Sequence, residues 1–262
     1  DAAQRLPEAD ISLFDARSPQ RDVSADPRTL ALSLGSVQWL QRLGAWPAEG
    51  VQPILEVNVS QQPPSAPPVF SALFGEPEVR IAAHDEAVPM LGAVLSYGRI
   101  VTTLQQAWFA AEAAQPQRLH TRFGTPVGAV KPVAGGVEID AGIAEAFDLA
   151  VVAEGGVFAE QARKAVVGHY RQTAWVGTVT LEGAAPGTAY ERFTRNGPVA
   201  LLPQANGRCG AVFVVRAAEV PRMMALADTA FLGELQAAFG YRLGRLLRAG
   251  ERVSYPLRRV LA

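Results

Sequence analysis

The 262-residue sequence is short of cysteine, of net charge and of long apolar runs. Its single cysteine, Cys209, excludes an internal disulfide and a cysteine-rich metal cluster, and is typical of a reducing compartment. With 25 acidic and 24 basic residues the chain has no strong attraction to a polyanion, so we expect no nucleic-acid partner. No apolar run approaches the roughly 18 to 20 residues of a membrane span, and the first residues lack the pattern of a signal peptide. These absences predict a soluble, cytoplasmic protein, and leave open a peripheral association with the inner membrane.

Several common catalytic patterns are also missing. The three histidines, His84, His120 and His169, are far apart and have no second ligand at helical spacing, so no metal site is predicted. Neither a Gly-x-Ser-x-Gly elbow nor a Gly-x-x-x-x-Gly-Lys phosphate loop occurs, which disfavours hydrolases and nucleotide triphosphatases. Gly-x-Gly-x-x-Gly is absent as well, and the sequence assigns no catalytic residue.

The most informative stretch that is present covers residues 147–156. Its apolar run ends at Glu154, Gly155 and Gly156, which is typical of a buried strand of a parallel sheet that leads into a tight loop. Ligands of open α/β sheets bind beyond the carboxyl ends of the strands, so this loop is a candidate ligand site. An ordinary strand and turn is an equally good interpretation.

Two residues near the start suit a nucleotide site. The strand predicted over residues 11–14 ends at Asp15, where a dinucleotide-binding unit uses an acid to bind a ribose hydroxyl. Arg28 precedes a helix predicted over residues 29–43 and closed by Gly44, and its guanidinium suits a pyrophosphate. The alternatives are a capping aspartate and a solvated arginine.

The remaining periodicity predicts a mixed α/β chain, with a mostly antiparallel sheet after residue 169 and an Asn206-Gly207 hairpin turn within it. Asp228 is predicted to cap a helix that ends before Gly240. The other predicted strands cover residues 51–60, 78–82, 90–95, 117–122, 126–133, 136–140, 170–181, 189–194, 198–202, 208–215 and 252–257, and the other predicted helices cover residues 99–114 and 157–164.

Several segments, taken in order, resemble the flavin-dependent ubiquinone-biosynthesis hydroxylases, within the wider group of aromatic-ring FAD monooxygenases. The resemblance covers nearly the whole chain, and its most specific block runs from Glu191 to Pro203. The matching segments are Asp-Pro-Arg-Thr-Leu-Ala-Leu-Ser-Leu-Gly-Ser at 26–36, Leu-Gly-Ala-Val at 91–94, the stretch 148–156, Glu-Arg-Phe-Thr-x-x-Gly-Pro-Val-Ala-Leu-Leu-Pro at 191–203, Asn-Gly-Arg-Cys at 206–209, Phe-x-x-Glu-Leu-Gln-x-Ala-Phe-Gly at 231–240 and Tyr-Pro-Leu at 255–257.

The resemblance implies an incomplete Rossmann-like FAD-binding domain with an inserted substrate domain built on an antiparallel sheet. By position, Asp15 would bind the adenosine ribose, Arg28 the FAD pyrophosphate, and Glu154 with Gly155 would form the second flavin motif. The FAD-binding domain would comprise residues 1–60 and 96–168, the substrate domain residues 61–95 and 169–257, and residues 258–262 the return to the first domain.

The sequence departs from the family at several places. Glu154 stands where the family usually has aspartate, and Thr103 where arginine or glutamine is common. The family's N-terminal glycine motif and C-terminal Gly-Asp motif are not in the sequence, and the first residue is not methionine. We therefore expect an internal fragment that by itself binds FAD poorly or not at all.

The implied reaction is the hydroxylation of the aromatic ring of a polyprenylated phenol, with NAD(P)H as reductant and O2 as oxidant. The cofactor supplies the redox chemistry, while the protein orients the ring and excludes water. Residues 199–203 and 212–214 are candidates for an apolar substrate pocket, although core packing is the more usual explanation for such residues. Two rivals remain: another FAD-dependent oxidoreductase such as a prenyl-chain reductase, and a non-catalytic module of a biosynthetic complex near a membrane.

Overall fold

The computed structural model describes residues 1–18, 22–23, 26, 28–62, 77–153, 166–183, 185–241 and 243–261. The chain forms two compact units. The first comprises Asp1–Ala25, Val101–Gly168 and Arg258–Ala262, and the second comprises Asp26–Ile100 and His169–Leu257. Among the described residues, no helix is both long enough and apolar enough to cross a membrane.

The first unit contains one short parallel sheet and one antiparallel sheet. Strand β1 pairs in parallel with β7, and β9 pairs with β8 on one side and β10 on the other. Ala134 and Gly135 form the turn that joins β8 to β9, and Gly135 has a positive φ of 81°. The elements that lie wholly in this unit are α1 (Ala2–Arg5), β1 (Ile11–Asp15), β7 (Leu119–Phe123), β8 (Ala129–Val133), β9 (Gly136–Asp140) and β10 (Ala144–Phe147).

The second unit begins with a three-stranded antiparallel sheet in the order β2-β6-β3. Helix α2 follows β2 directly, because the Ser33 side chain accepts a hydrogen bond from the Ser36 backbone N–H and caps the helix. The elements are β2 (Thr29–Ser33), α2 (Leu34–Arg42), β3 (Gln52–Ile54) and β6 (Gly92–Ser96), and helix α3 (Tyr97–Ala114) follows β6.

A seven-stranded sheet with the order β15-β11-β14-β13-β12-β4-β5 forms the larger part of the second unit. Its pairings are antiparallel between β11 and β14, β14 and β13, β13 and β12, and β4 and β5, whereas β12 and β4 are parallel. Its strands are β4 (Glu56–Gln61), β5 (Glu78–Ala82), β11 (Val166–Leu181), β12 (Thr188–Thr194), β13 (Gly197–Pro203), β14 (Arg208–Arg216) and β15 (Leu246–Leu261). A 3-10 turn (Ala217–Glu219), α4 (Val220–Ala225) and α5 (Asp228–Phe239) follow β14.

The main core lies where α5 packs on this sheet. Leu235 and Phe239 of α5 share one cluster of buried side chains with Leu201 of β13 and Phe213 of β14. Phe213 and Phe231 meet with ring centroids 6.3 Å apart, and Tyr190 meets Phe239 edge-on at the same distance. Aromatic pairs of this kind add to the free energy gained by burying their area.

Three predictions about local structure are corrected. Residues 29–33 form strand β2 rather than the first turns of a helix, because they pair with β6 from Thr29 with Ser96 to Ser33 with Gly92. Residues 51–60 form two strands, β3 and β4, that bond to different sheets. The N-cap of α5 is Ala227, while Asp228 is the first helical residue and pairs with Arg252 at 2.9 Å.

The stretch 147–156 also differs from its predicted form. Phe147 ends β10, which is antiparallel to β9. Residues 149–153 form no strand, and Leu149 and Val151 are 77% and 82% exposed. An apolar run becomes a buried strand only beside a partner strand, and none in the described part of the chain pairs with this one. The helix predicted over residues 157–164 lies outside the described residues.

The unit boundaries differ from the predicted domain boundaries at residues 26–60 and 96–100, which belong to the second unit. The reason is the bonding of β4, which lies between β12 and β5 in the seven-stranded sheet. The other predicted elements with described residues are present to within a few residues, and the fold class is the predicted mixture of α and β structure.

Candidate functional site

Asp15 lies at the carboxyl end of β1, the edge of a parallel strand pair where the sequence predicts a ribose-binding acid. Arg17 donates to both carboxylate oxygens, with Nη2 2.7 Å from Oδ2 and Nε 3.1 Å from Oδ1. The Arg17 backbone N–H also donates to Oδ1 at 2.8 Å. These bonds from Arg17 lower the pKa of the Asp15 carboxyl, so it is ionised at neutral pH and acts only as an acceptor.

The loop predicted to follow the stretch 147–156 cannot be placed in the site, since Glu154 and Gly155 lie outside the described residues. The start of the stretch is nevertheless fixed within the first unit. The ring of Phe147 packs edge-on against Phe14 of β1, with centroids 6.0 Å apart. This contact brings the end of β10 beside the strand that carries Asp15.

Arg28, in the second unit, is held by three groups. Its backbone carbonyl accepts a hydrogen bond from the Tyr97 N–H at 2.7 Å, which ties it to the start of α3. Its guanidinium stacks on the Tyr97 ring, 4.1 Å from the centroid, and pairs with Asp26 through Nε at 2.9 Å and Nη2 at 2.7 Å. The pairing with Asp26 raises the pKa of Arg28. A fixed, half-exposed guanidinium of this kind suits a bidentate bond to a phosphate group.

Arg28 opens a strand and not a helix, contrary to the sequence prediction. Thr29, the next residue, is joined to the far end of β13, because its hydroxyl accepts a bond from Gln204 Nε2 at 3.0 Å. Gly210 on β14 makes room for this contact, since a Cβ there would lie 3.5 Å from Thr29 and 3.2 Å from Gln204 Nε2. The polar link fixes the approach of the Arg28 segment to the large sheet.

The proposed substrate-pocket residues divide between the two faces of that sheet. Val199, Leu201 and Phe213 belong to the core cluster beneath α5, so they are not available to a substrate. Side chains alternate along a strand, and Ala200 pairs with Val212 on the opposite face. Among residues 199–203 and 212–214, the half-buried members of this opposite face are Ala200, Leu202 and Val212. Only this set remains a candidate for contact with an apolar ligand.

Neither Tyr97 nor Asp26 was predicted as a partner of Arg28. Asp26 stands two residues before Arg28 in the matched Asp-Pro-Arg segment, so an ion pair between them could have been predicted from the sequence. Nothing in the sequence links Tyr97 to Arg28. Thr103 lies in α3 and is half-buried. Among the described residues, no group of three or more histidine, cysteine, aspartate or glutamate side chains is arranged to hold a metal ion.

Comparisons with known proteins were made for the whole chain. No family model matches it. It is 28% identical over 258 residues to the ubiquinone hydroxylase UbiL of Rhodospirillum rubrum, an alignment that covers 94% of this chain and 56% of that protein. The chain thus spans about half the length of the curated relative it matches.

Several solved structures of enzymes share the fold. p-Nitrophenol 4-monooxygenase PnpA from Pseudomonas putida superposes with a TM-score of 0.64 at 9% identity, over 97% of this chain and 63% of that one. A flavin-dependent halogenase from Xanthomonas campestris gives 0.60 at 12% identity, over 99% and 59%. HpxO from Klebsiella pneumoniae, in complex with FAD and uric acid, gives 0.54 at 14% identity, over 87% and 55%. The predicted resemblance in sequence and the predicted fold are therefore both confirmed.

Proposed function

We propose that this chain, which has the fold of FAD-dependent monooxygenases and is similar to a ubiquinone hydroxylase, is part of a flavin-dependent hydroxylase. The observation that carries the proposal is the similarity to UbiL, which extends over 94% of the chain and through both structural units. FAD, when bound, supplies the redox chemistry, and NAD(P)H is the proposed source of electrons. The residues of this chain bind the cofactor, orient the substrate ring and exclude water.

Arg28 is the residue we assign to the pyrophosphate of FAD. Its donor set fits that group, because Asp26 accepts from Nε and from one N–H of Nη2, so the Nη1 and Nη2 edge of the guanidinium keeps N–H donors for two phosphate oxygens. Stacking on Tyr97 holds the guanidinium plane, so little side-chain entropy remains to be lost on binding. In the first unit we assign Asp15 to a ribose hydroxyl, since its ionised carboxylate has lone pairs beyond those that Arg17 uses. Glu154 and Gly155 keep their proposed role in the second flavin motif.

The proposed substrate is a polyprenylated phenol, which is oxidised by O2 on its aromatic ring. Support comes from the apolar face of the large sheet that points away from α5. Ala200, Leu202 and Val212 carry no polar side-chain atoms, so they can shield a ring from water without competing for its hydroxyl. A substrate with a prenyl tail and a peripheral position at the inner membrane, or in a biosynthetic complex, are proposals of the same kind.

The assignment of Arg28 can be tested by FAD binding alone. The product of the complete reading frame is titrated with FAD, and the quenching of flavin fluorescence is followed for the wild type, Arg28→Met and Arg80→Met. Arg80 is the matched control, because it is an exposed arginine of the same unit that pairs with Glu56. We expect the Kd for FAD to rise about tenfold or more in Arg28→Met, which corresponds to about 1.4 kcal/mol, and to stay unchanged in Arg80→Met. Equal affinities in the two variants would exclude the assignment.

A further inference from the structure

A small cavity lies between the large sheet and α5, in the second unit. Its volume is about 10 Å³, room for one species of about the size of water. The walls are largely apolar, with Phe213 of β14, Phe231 of α5 and Ala249 of β15 among them. Trp175 of β11 and Arg252 of β15 complete the lining and are its two large polar side chains.

Both of these side chains have a buried nitrogen without a partner in the described part of the chain. These are Nε1 of Trp175 and Nη1 of Arg252. Trp175 is only 2% exposed and the Arg252 side chain only 18%. A buried N–H without an acceptor is unfavourable, and more so when the group is charged, so two such groups in one cavity indicate a ligand that accepts from them.

The other contacts of Arg252 hold it in place without filling the cavity. Nη2 donates to the Leu226 carbonyl at 3.2 Å and to Asp228 at 2.9 Å, and the guanidinium lies 4.5 Å from the centroid of the Phe231 ring. The ring of Trp175 lies 6.0 Å from the same Phe231 ring. Both side chains that carry the donors therefore pack against the same ring.

The chemistry of the lining selects the kind of ligand. An indole N–H and a guanidinium only donate, so the ligand must accept both bonds. The remaining polar side chain of the lining is Thr178, whose hydroxyl accepts a bond from Arg208 Nη2 at 3.2 Å and has one further lone pair. A water needs acceptors for both of its hydrogens, and the side chains of the lining offer this single one, whereas a monatomic anion needs none. The positive charge of Arg252 also favours an anion.

We propose that this cavity binds one small monovalent anion of the halide class, held by the indole N–H of Trp175 and the guanidinium of Arg252. The anion joins β11, β15 and α5 from within the core. The site is independent of the proposed flavin chemistry, because none of its residues was assigned to the cofactor or the substrate.

Chloride is the probe for a first test. The midpoint of thermal unfolding is measured in sodium chloride and in sodium gluconate at equal ionic strength. We expect a saturable rise of about 2 to 5 °C that is specific to chloride, since a ligand that binds only the folded state stabilises it. Trp175→Phe removes the N–H and keeps a ring, and is expected to abolish this rise. Trp39→Phe, the same change at an exposed tryptophan of α2, should keep it.

A second measurement decides the matter even if Trp175→Phe does not fold. Crystals of the wild-type chain are soaked in bromide, and the anomalous difference map is inspected at the cavity. A bromide peak within bonding distance of Trp175 Nε1 and Arg252 Nη1 would establish the site. An ordered water there in the presence of bromide, or equal midpoints in chloride and gluconate, would overturn the proposal.

Discussion

Arg118 shows at the scale of one residue how a charged side chain holds a chain segment. It is 8% exposed, and its guanidinium donates to carbonyls of Ala3, Leu6 and Ala9 at 2.5 to 3.3 Å. We expect Arg118→Met to lower the free energy of unfolding by about 1 to 3 kcal/mol, because three carbonyls of the N-terminal segment lose the donor that ties them to β7. Denaturant unfolding measures the change.

The matched control for this variant is Arg5→Met. Arg5 also pairs with a carboxylate, Asp1 at 2.9 Å, but its side chain is exposed. An exposed pair four residues apart contributes little, so the free energy of unfolding should change by less than about 0.5 kcal/mol. A loss in Arg118→Met no greater than in Arg5→Met would contradict the assigned role.

The buried thiol of Cys209 makes the free energy of unfolding depend on pH. Burial among apolar side chains raises the pKa of its thiol from 9.0 to about 11. Between these values the unfolded chain releases a proton that the folded chain keeps, so the stability that depends on Cys209 falls as the pH rises from about 9 to 11. Two pKa units correspond to at most about 3 kcal/mol.

The measurement compares the wild type with Cys209→Ala at pH 8 and pH 10.5. Other groups titrate in this range in both proteins, so the difference between the two free energies of unfolding isolates Cys209. We expect the advantage of the wild type at pH 8 to shrink by pH 10.5. A constant difference would mean that the thiol titrates alike in the folded and unfolded chains.

At the scale of one structural element, strand β13 places successive side chains on opposite faces of the sheet, where they are buried to different extents. Leu201 is fully buried beneath α5, whereas Leu202 is half-buried on the opposite face beside Ala189. Leu201→Ala should cost about 2 to 5 kcal/mol of stability, and Leu202→Ala clearly less, since the cost follows the cavity left in the core. Thermal and denaturant unfolding of both variants checks this order. A larger loss in Leu202→Ala would show that the faces are assigned the wrong way round.

The turn between β12 and β13 makes a second prediction for this hairpin. Gly197 has φ of 138°, and a Cβ there would lie 2.5 Å from Cγ1 of Val214. We expect Gly197→Ala to destabilise the chain by about 2 to 4 kcal/mol through strain and crowding. Gly233→Ala is the control, because it lies in α5 with open space around it and should stabilise by up to about 1 kcal/mol. An unchanged free energy of unfolding in Gly197→Ala would show that a Cβ at this position is not crowded by Val214.

The elements that the sequence predicts well are those with local determinants. Asn206 and Gly207, with φ of 60° and 68°, form the predicted turn because their residue types tolerate that backbone. Residues 29–33 and 149–153 were predicted wrongly for the opposite reason. Whether they become strand, helix or exposed coil depends on partners distant in sequence, which an apolar pattern does not specify.

The candidate site follows the same division. Asp15 and Arg28 could be named as candidates because an acid after a strand and an arginine before an apolar segment are local signals. The stacking of Arg28 on Tyr97 depends on the pairing of β2 with β6, which ends at Thr29 and Ser96. A pairing between distant strands leaves no mark in either segment alone, so the geometry that fixes the guanidinium could not be predicted.

At the scale of the whole molecule, the near balance of acidic and basic residues means that anions are attracted by single arginine sites and not by the net charge of the chain. The described residues offer separate cationic positions at Arg28 and Arg252, and no extended basic surface was predicted from a net charge of −1. Each position pairs with one aspartate and one aromatic ring, Asp26 with Tyr97 and Asp228 with Phe231. This arrangement is suited to single small anions and phosphate groups and not to a polyanion.

The proposed activity is decided by the mass of the product. The product of the complete reading frame is incubated with FAD, NADH or NADPH, O2 and a prenylated phenol, and the organic phase is analysed by mass spectrometry. A hydroxylase adds one oxygen atom to the ring. The product therefore gains the mass of one oxygen atom, and the reaction consumes one equivalent of O2. A prenyl-chain reductase would instead add two hydrogens per double bond without using O2. A binding module would leave the phenol unchanged and oxidise no NAD(P)H. The mass of the product and the consumption of O2 together therefore separate the three functions, and we expect the gain of one oxygen atom.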